Sequence, residues 1–111
     1  MLDPTSWHCS TGPDGKNGIV ISDAGPGPDG AQFHSWQEGS AVEGPNGRVV
    51  NLLRINGQSA RCANIAAYTE LDTATGVLRF VRWVRGPFSA SKFVVRRDPA
   101  SPSPRYYAVS T

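Results

Sequence analysis

The chain has 111 residues, a length that fits one domain with a modest hydrophobic core. Its 12 glycines and 9 prolines indicate many turns and few long helices. The net charge is only +2, and no apolar run is long enough for a membrane span or for the core of a signal peptide. The sequence as written therefore predicts no membrane partner and a cytoplasmic location, although a longer parent protein would allow secretion.

The charges are unevenly distributed along the chain. Residues 1–47 carry six acidic side chains against one lysine, a net charge of −5, whereas residues 48–111 carry ten basic side chains against three acidic ones, a net charge of +7. A basic half is compatible with a nucleic acid or an acidic ligand. However, arginines that alternate along strands are typical of a solvated face. The sequence also has no run of basic residues interleaved with aromatic residues, as proteins that bind single-stranded nucleic acid have. The sequence therefore favours no nucleic-acid partner.

Two cysteines, Cys9 and Cys62, have no surrounding motif that would indicate a metal site. A disulfide between them would require an oxidising compartment and Cα atoms close enough to be bridged. The sequence favours two free thiols, and it predicts neither a metal nor another cofactor.

In chain order, residues 1–30 are rich in turn-forming residues and poor in apolar ones. They are predicted to form a loosely ordered N-terminal segment with one short strand at 17–22. Residues 31–111 are predicted to form the folded unit.

The folded unit is organised around a predicted β-hairpin from Ser35 to Asn56. Its turn is Gly44-Pro45-Asn46-Gly47, where proline fixes φ and Asn-Gly tolerates positive φ. A short strand at Ala41–Val42 precedes the turn. A β-branched and aliphatic strand at Val49–Ile55 follows it.

Further hairpins are predicted after this one, with turns at 72–76 and 98–104. The predicted strands are 60–68, 77–84, 92–97 and 105–110. In the strand 77–84, strict alternation predicts one face of Leu78, Phe80 and Val84 and an opposite face of Val77, Val81 and Trp83.

This succession of hairpins predicts an all-β fold. Turn signals recur about every 30 residues, a spacing that suggests repeated antiparallel units and about two blades of a β-propeller. A small β-sandwich is the alternative architecture.

Two parts of the chain resemble the sialidase superfamily of β-propellers. The segments Trp36–Gly39 (WQEG) and Val42–Arg54 (VEGPNGRVVNLLR) resemble its glutamate-containing hairpin. The segments Ser91–Pro99 (SKFVVRRDP) and Arg105–Ser110 (RYYAVS) resemble a following blade segment of exo-sialidase-like proteins. The resemblance covers residues 36–110.

The resemblance implies a function and a set of site residues. Sialidases use a tyrosine nucleophile instead of a carboxylate, with a glutamate as its base and an arginine cluster that binds the carboxylate of the substrate. Glu38 would be the base and Arg54 a member of the arginine cluster, and Arg96 and Lys92 would line the same substrate-binding mouth. The substrate class would be terminal acidic sugars.

The chain also departs from the sialidase pattern. It lacks the family's first-arginine motif and its Asp-box turns, and Tyr106 and Tyr107 are interpreted as sheet-packing aromatics. We therefore expect a fragment or shortened relative of a glycoside hydrolase that is inactive alone and self-associates through open blade edges.

A second hypothesis is a non-catalytic all-β module that binds carbohydrate or has a structural role. In that module Trp36, Trp83 and the tyrosines would provide packing or a sugar-stacking face.

The predicted hairpin also has an expected geometry. Glu38 lies before the first strand and Arg54 near the end of the second, so both side chains should meet at the end opposite the turn.

Overall fold

Antiparallel hairpins make up the fold, as predicted. The computed structural model describes residues 19, 24–57, 64–86, 88 and 92–110. Within them the chain is all-β, with a four-stranded sheet in the order β1-β2-β3-β4 and a two-stranded sheet of β5 and β6. The strands are β1 (Phe33–Glu43), β2 (Val49–Gly57), β3 (Ile65–Asp72), β4 (Val77–Arg85), β5 (Phe93–Arg97) and β6 (Tyr106–Ser110), preceded by a 3-10 turn at Pro28–Gly30.

Some sequence predictions fall outside these described residues. They include both cysteines and, except for the buried Ile19, the short strand at 17–22. Among the described residues, no helix has the length and apolar character needed to cross a membrane.

The predicted turn at Gly44–Gly47 is confirmed. The N–H of Gly47 donates to the carbonyl of Gly44 over 3.0 Å, and Gly47 has φ +77°. The side-chain oxygen of Asn46 accepts from the N–H of Arg48 at 3.1 Å, so the asparagine stabilises the turn as its type predicts. The prediction of a short first strand at Ala41–Val42 was wrong, because β1 begins eight residues earlier at Phe33.

The pairing of β1 with β2 has two register shifts, one between Phe33 and Ser35 and a β-bulge between Trp36 and Gly39. Trp36 pairs with Ile55 and Gly39 with Leu53, so Gln37 and Glu38 together lie opposite Arg54. Gly39 permits the bulge because a Cβ atom there would lie 2.9 Å from the carbonyl oxygen of Leu52. Glu38 therefore lies inside β1. The prediction that it lies before the first strand was wrong.

A further irregularity lies in β4. Tyr68 pairs with Arg82 and Thr69 with Phe80, which leaves Val81 as an extra residue. The predicted alternation over 77–84 is therefore wrong beyond Phe80. The rings of Phe80 and Trp83 contact each other at 5.1 Å, whereas Val84 packs into the cluster on the other face of the sheet.

The main core lies between the two sheets. Phe93 packs there against Phe88, which precedes β5, with ring centroids 4.9 Å apart. Polar contacts also join the sheets: the Tyr106 hydroxyl donates to the carbonyl of Glu43, Arg97 forms an ion pair with Glu43, and β5 is bound by the hydroxyl of Ser40. This hydroxyl accepts from the N–H of Val95 at 2.9 Å and donates to its carbonyl at 3.3 Å. The buried members of the core are Val50, Leu52, Ala66, Phe88, Phe93 and Val95.

The opposite face of the four-stranded sheet carries an aromatic cluster, which we define as Phe33, Trp36, Phe80 and Trp83. Its rings contact one another at centroid distances of 5.1–6.1 Å. It packs on a small buried group of Ala31, Ile55 and Ile65. The four-stranded meander is a strand arrangement used both by propeller blades and by sandwich layers.

Candidate functional site

The predicted meeting of Glu38 and Arg54 is confirmed. A guanidinium nitrogen of Arg54 lies 3.0 Å from Glu38 Oε2 and 3.3 Å from Gln37 Oε1. The bulge produces this arrangement, because it places two acceptor side chains opposite one arginine. The Arg54 side chain is 18% exposed and that of Glu38 44% exposed, so the pair lies at the surface, as expected for charges that are partly exposed and paired.

The surroundings of Glu38 stabilise the ionised form of its carboxyl group. The hydrogen bond from Arg54 and a backbone hydrogen bond within Glu38 hold the pKa of this carboxyl below its ordinary value. The positive charge of Lys92 contributes to the same lowering of the pKa. A carboxylate with a lowered pKa is a weak base near neutral pH, because efficient general bases have a pKa close to the working pH.

Asp72 is a second carboxyl with a lowered pKa. It ends β3, and its Oδ1 accepts from the N–H of Ala74 at 2.9 Å and from that of Thr75 at 3.3 Å. The bond from Ala74 is the largest cause of the lowered pKa. These bonds, with Gly76 at φ +73°, form the predicted turn at 72–76.

These two shifts predict loss of stability in acid. A carboxyl whose pKa is lower in the folded state stabilises the fold above its unfolded pKa, near 4, and this contribution is lost as the pH falls through the folded pKa. We expect thermal stability to fall below about pH 4, and Glu38→Gln to reduce that fall. The melting temperatures of the unmodified and Glu38→Gln chains should converge as the pH falls through the lowered pKa of Glu38. A difference that is independent of pH would contradict this account.

The other two predicted site residues, Lys92 and Arg96, differ in their position relative to the Glu38–Arg54 pair. Lys92 is exposed and close enough to Glu38 to affect its pKa. Arg96 lies on the exposed face of β5, one residue from the buried Val95, and its guanidinium donates to the carbonyl of Val95 at 3.1 Å. The structure therefore brings Lys92 toward the Glu38–Arg54 pair and does not place Arg96 with it.

The three tyrosines of the chain have other contacts. The Tyr106 hydroxyl donates to the carbonyl of Glu43 at 2.8 Å, and the Tyr107 hydroxyl donates to Asp98 Oδ2 at 3.4 Å. The Tyr68 ring lies beneath the guanidinium of Arg82, whose central carbon is 4.1 Å from the ring centroid.

A larger concave site lies at the turn end of the four-stranded sheet, away from the Glu38–Arg54 pair. This turn-end groove has a volume of about 620 Å³, within the range of small-molecule sites. The β1–β2 turn and the adjacent ends of β3 and β4 form its walls. Its lining residues are Asn46, Gly47, Arg48, Glu70, Leu71, Asp72, Thr73, Arg79, Phe80 and Val81.

The charged side chains of the turn-end groove differ in their pairing. Arg48 forms an ion pair with Glu70 at 2.9 Å, and the Asp72 carboxylate binds backbone N–H groups of its own turn. Arg79 is the cross-strand neighbour of Glu70 and acts electrostatically on Asp72. No ion pair or hydrogen bond joins the Arg79 guanidinium to another residue that the structure describes. The groove therefore places the guanidinium donors of Arg79 beside the ring of Phe80.

The aromatic cluster adjoins this groove through Phe80, which belongs to both. All four of its rings are half-buried. The indole N–H groups of Trp36 and Trp83 are buried and have no acceptor among the described residues. A buried donor without an acceptor costs free energy of folding.

Two other observations give no support for a ligand site. A cleft of about 320 Å³ between the sheets is walled mainly by apolar core residues, including Leu52, Val84 and Val95, and it is an extension of the core. In the described part of the chain, no group of three or more histidine, cysteine, aspartate or glutamate side chains is placed to hold a metal ion.

Comparison with known proteins gave no match among protein-family models, curated proteins or solved structures.

Sequence reasoning did not identify the turn-end groove. Its residues come from three separate segments, and only the strand register places Arg48, Glu70 and Arg79 side by side. A usable signal was present, because both predicted hairpin turns, at 44–47 and 72–76, have to lie at the same end of an antiparallel meander.

Proposed function

We propose that the chain is a non-catalytic all-β module that binds a carbohydrate in the turn-end groove. The observation that carries the proposal is the combination, in one groove of about 620 Å³, of charged side chains and an aromatic wall. This function is the second hypothesis that the sequence supports, and the groove is a site that no sequence motif marks.

The composition of the groove suits the chemistry of a sugar. A sugar ring presents hydroxyl groups at its edge, which need donors and acceptors, and apolar C–H groups on its faces, which pack against aromatic rings. Arg79 supplies donors and the Glu70 and Asp72 carboxylates supply acceptors, while Phe80 supplies the apolar contact.

Binding without catalysis is supported by the surroundings of Glu38. Its carboxylate is held by Arg54 with a lowered pKa, and the three tyrosine rings contact other groups. A phenol needs a base within hydrogen-bond reach to act as a nucleophile.

Descent from a sialidase-like hydrolase is a second candidate, and the meeting of Glu38 and Arg54 favours it. In that case the chain would be a fragment or shortened relative that acted on terminal acidic sugars as part of a larger constellation. We propose that this chain alone does not catalyse that reaction, because catalysis by positioned groups fails when most of the catalytic residues are missing.

The proposal predicts a specific effect of Arg79→Gln. Oligosaccharide binding, measured by screening on a glycan array and then by calorimetry with the best ligand, should weaken at least about tenfold, because hydrogen bonds from a charged group contribute about 1.5–3 kcal/mol. The matched control is Arg96→Gln, which removes the same charge from an exposed arginine outside the groove and should leave affinity unchanged.

Three outcomes would overturn the proposal. The first is equal weakening by Arg79→Gln and Arg96→Gln, and the second is no binding of any oligosaccharide. The third is turnover of a fluorogenic sialoside above that of a Glu38→Gln chain, which would replace binding by hydrolysis as the function.

A further inference from the structure

The outer edge of the two-stranded sheet is an unprotected strand. β6 pairs only with β5 among the described strands, without a register shift. It contains no charged residue and no proline. Tyr107 is 58% exposed and Val109 69% exposed, and both lie on the outer face beside the exposed Val94.

The other edge strands of the described fold are protected. β4 carries a bulge at Val81 and three exposed arginines, devices that hinder the pairing of strands between molecules. β1 carries the bulge at Glu38 and is contacted by β5 through Ser40. Within the residues that the structure describes, β6 is therefore the edge strand that lacks such protection.

The hydrogen bonds of Val95 fix which backbone groups of β6 face outward. The N–H and carbonyl of Val95 bind the Ser40 hydroxyl and so point away from β6. Val95 pairs with Ala108, which makes this a pair without mutual hydrogen bonds. The backbone groups of Ala108, and by alternation those of Tyr106 and Ser110, therefore point toward the open edge.

We propose that two copies of this chain pair through β6 in an antiparallel, two-fold arrangement centred on Ala108. The outward N–H and carbonyl of Ala108 bond to those of Ala108 in the other copy, and Tyr106 bonds to Ser110. This register places Tyr107 of each copy opposite Val109 of the other, an aromatic and β-branched pair that stabilises sheets. The result is a continuous four-stranded sheet.

The composition of β6 makes it complementary to a second copy of itself. β6 is uncharged, so self-pairing in this register brings no like charges into opposition along the strand, and it joins the exposed Tyr107 of one copy to the exposed Val109 of the other. The nearest charges are Arg105, which precedes β6, and Arg96 and Arg97 on β5. Since the junction is one short strand from each copy, the dimer is weak and depends on concentration.

The test is sedimentation velocity over a wide concentration range, in reducing buffer. We expect the unmodified chain to show a monomer–dimer equilibrium. Val109→Lys should lower the association constant at least about tenfold, because it removes both Tyr–Val pairs and charges the edge. Val81→Lys, a matched change at an exposed valine on β4, should leave the constant unchanged.

A second variant tests the backbone bonds directly. Ala108→Pro removes an N–H that points outward and is not used in pairing with β5, so the folded chain should remain while association is lost. A chain that stays monomeric at every concentration, or in which Val109→Lys and Val81→Lys act alike, would overturn the proposal.

Discussion

Replacing Phe93 by alanine is expected to lower the free energy of unfolding by about 3–5 kcal/mol. Phe93 is 7% exposed and packs against Phe88 in the core between the two sheets. An isolated two-stranded hairpin is marginally stable in water, so β5 and β6 depend on this packing. Since domains of this size are stable by about 5–15 kcal/mol, the loss is a large part of the total. Urea denaturation followed by tryptophan fluorescence measures it.

Val94→Ala is the matched control for this substitution. Val94 is the next residue of β5 and lies on the exposed face, so its truncation should change the free energy of unfolding by no more than about 0.5 kcal/mol. A Phe93→Ala chain as stable as Val94→Ala would show that the hairpin does not pack on the four-stranded sheet as described.

Ser40→Ala should have the next largest effect, a loss of about 1–3 kcal/mol. The hydroxyl is buried and binds both the N–H and the carbonyl of Val95. Removing it leaves the N–H of Val95 without its partner inside the core, and a buried unpaired donor is costly. Hydrogen exchange at the Val95 amide should become faster than in the unmodified chain.

Ser35→Ala provides the comparison for Ser40→Ala. The Ser35 hydroxyl is half-buried and accepts a local hydrogen bond from Gln37 at 3.1 Å, so its loss should leave exchange at Val95 unchanged. Equal exchange at Val95 in the Ser40→Ala and unmodified chains would contradict the proposed link between the sheets.

The hairpins could be predicted from the sequence because their determinants are local. Gly44–Gly47 and Asp72–Gly76 carry the residue types that tight turns require, and the strands between them are β-branched and aliphatic. The meeting of Glu38 and Arg54 followed from counting residues away from the first turn.

The irregular features could not be predicted, since they depend on contacts between strands. The bulge at Gln37–Glu38 needs the close approach of Gly39 to Leu52, and the extra residue Val81 appears only in the register of β3 with β4. Such bulges break the alternation on which face assignments rest, which is why Val84 was placed on the wrong face.

The docking of the second sheet also had no local signal. It joins Ser40 to Val95 across 55 positions of sequence, and neither residue belongs to a motif. The turn-end groove depends on three segments in the same way, so its ligand class follows from the fold and not from any one stretch of sequence.

The separation of Ser40 from Val95 has a consequence for the order of folding. The hairpins β1–β2 and β3–β4 join neighbouring segments and can form within microseconds, whereas contacts distant in sequence form slowly. During synthesis, the four-stranded sheet is complete about 25 residues before the end of β6, a delay of about one to five seconds at ordinary translation rates. Throughout this interval the apolar face of Val50, Leu52 and Ala66 lacks its cover, so the nascent chain passes through a stage that is prone to aggregation and suited to chaperone binding.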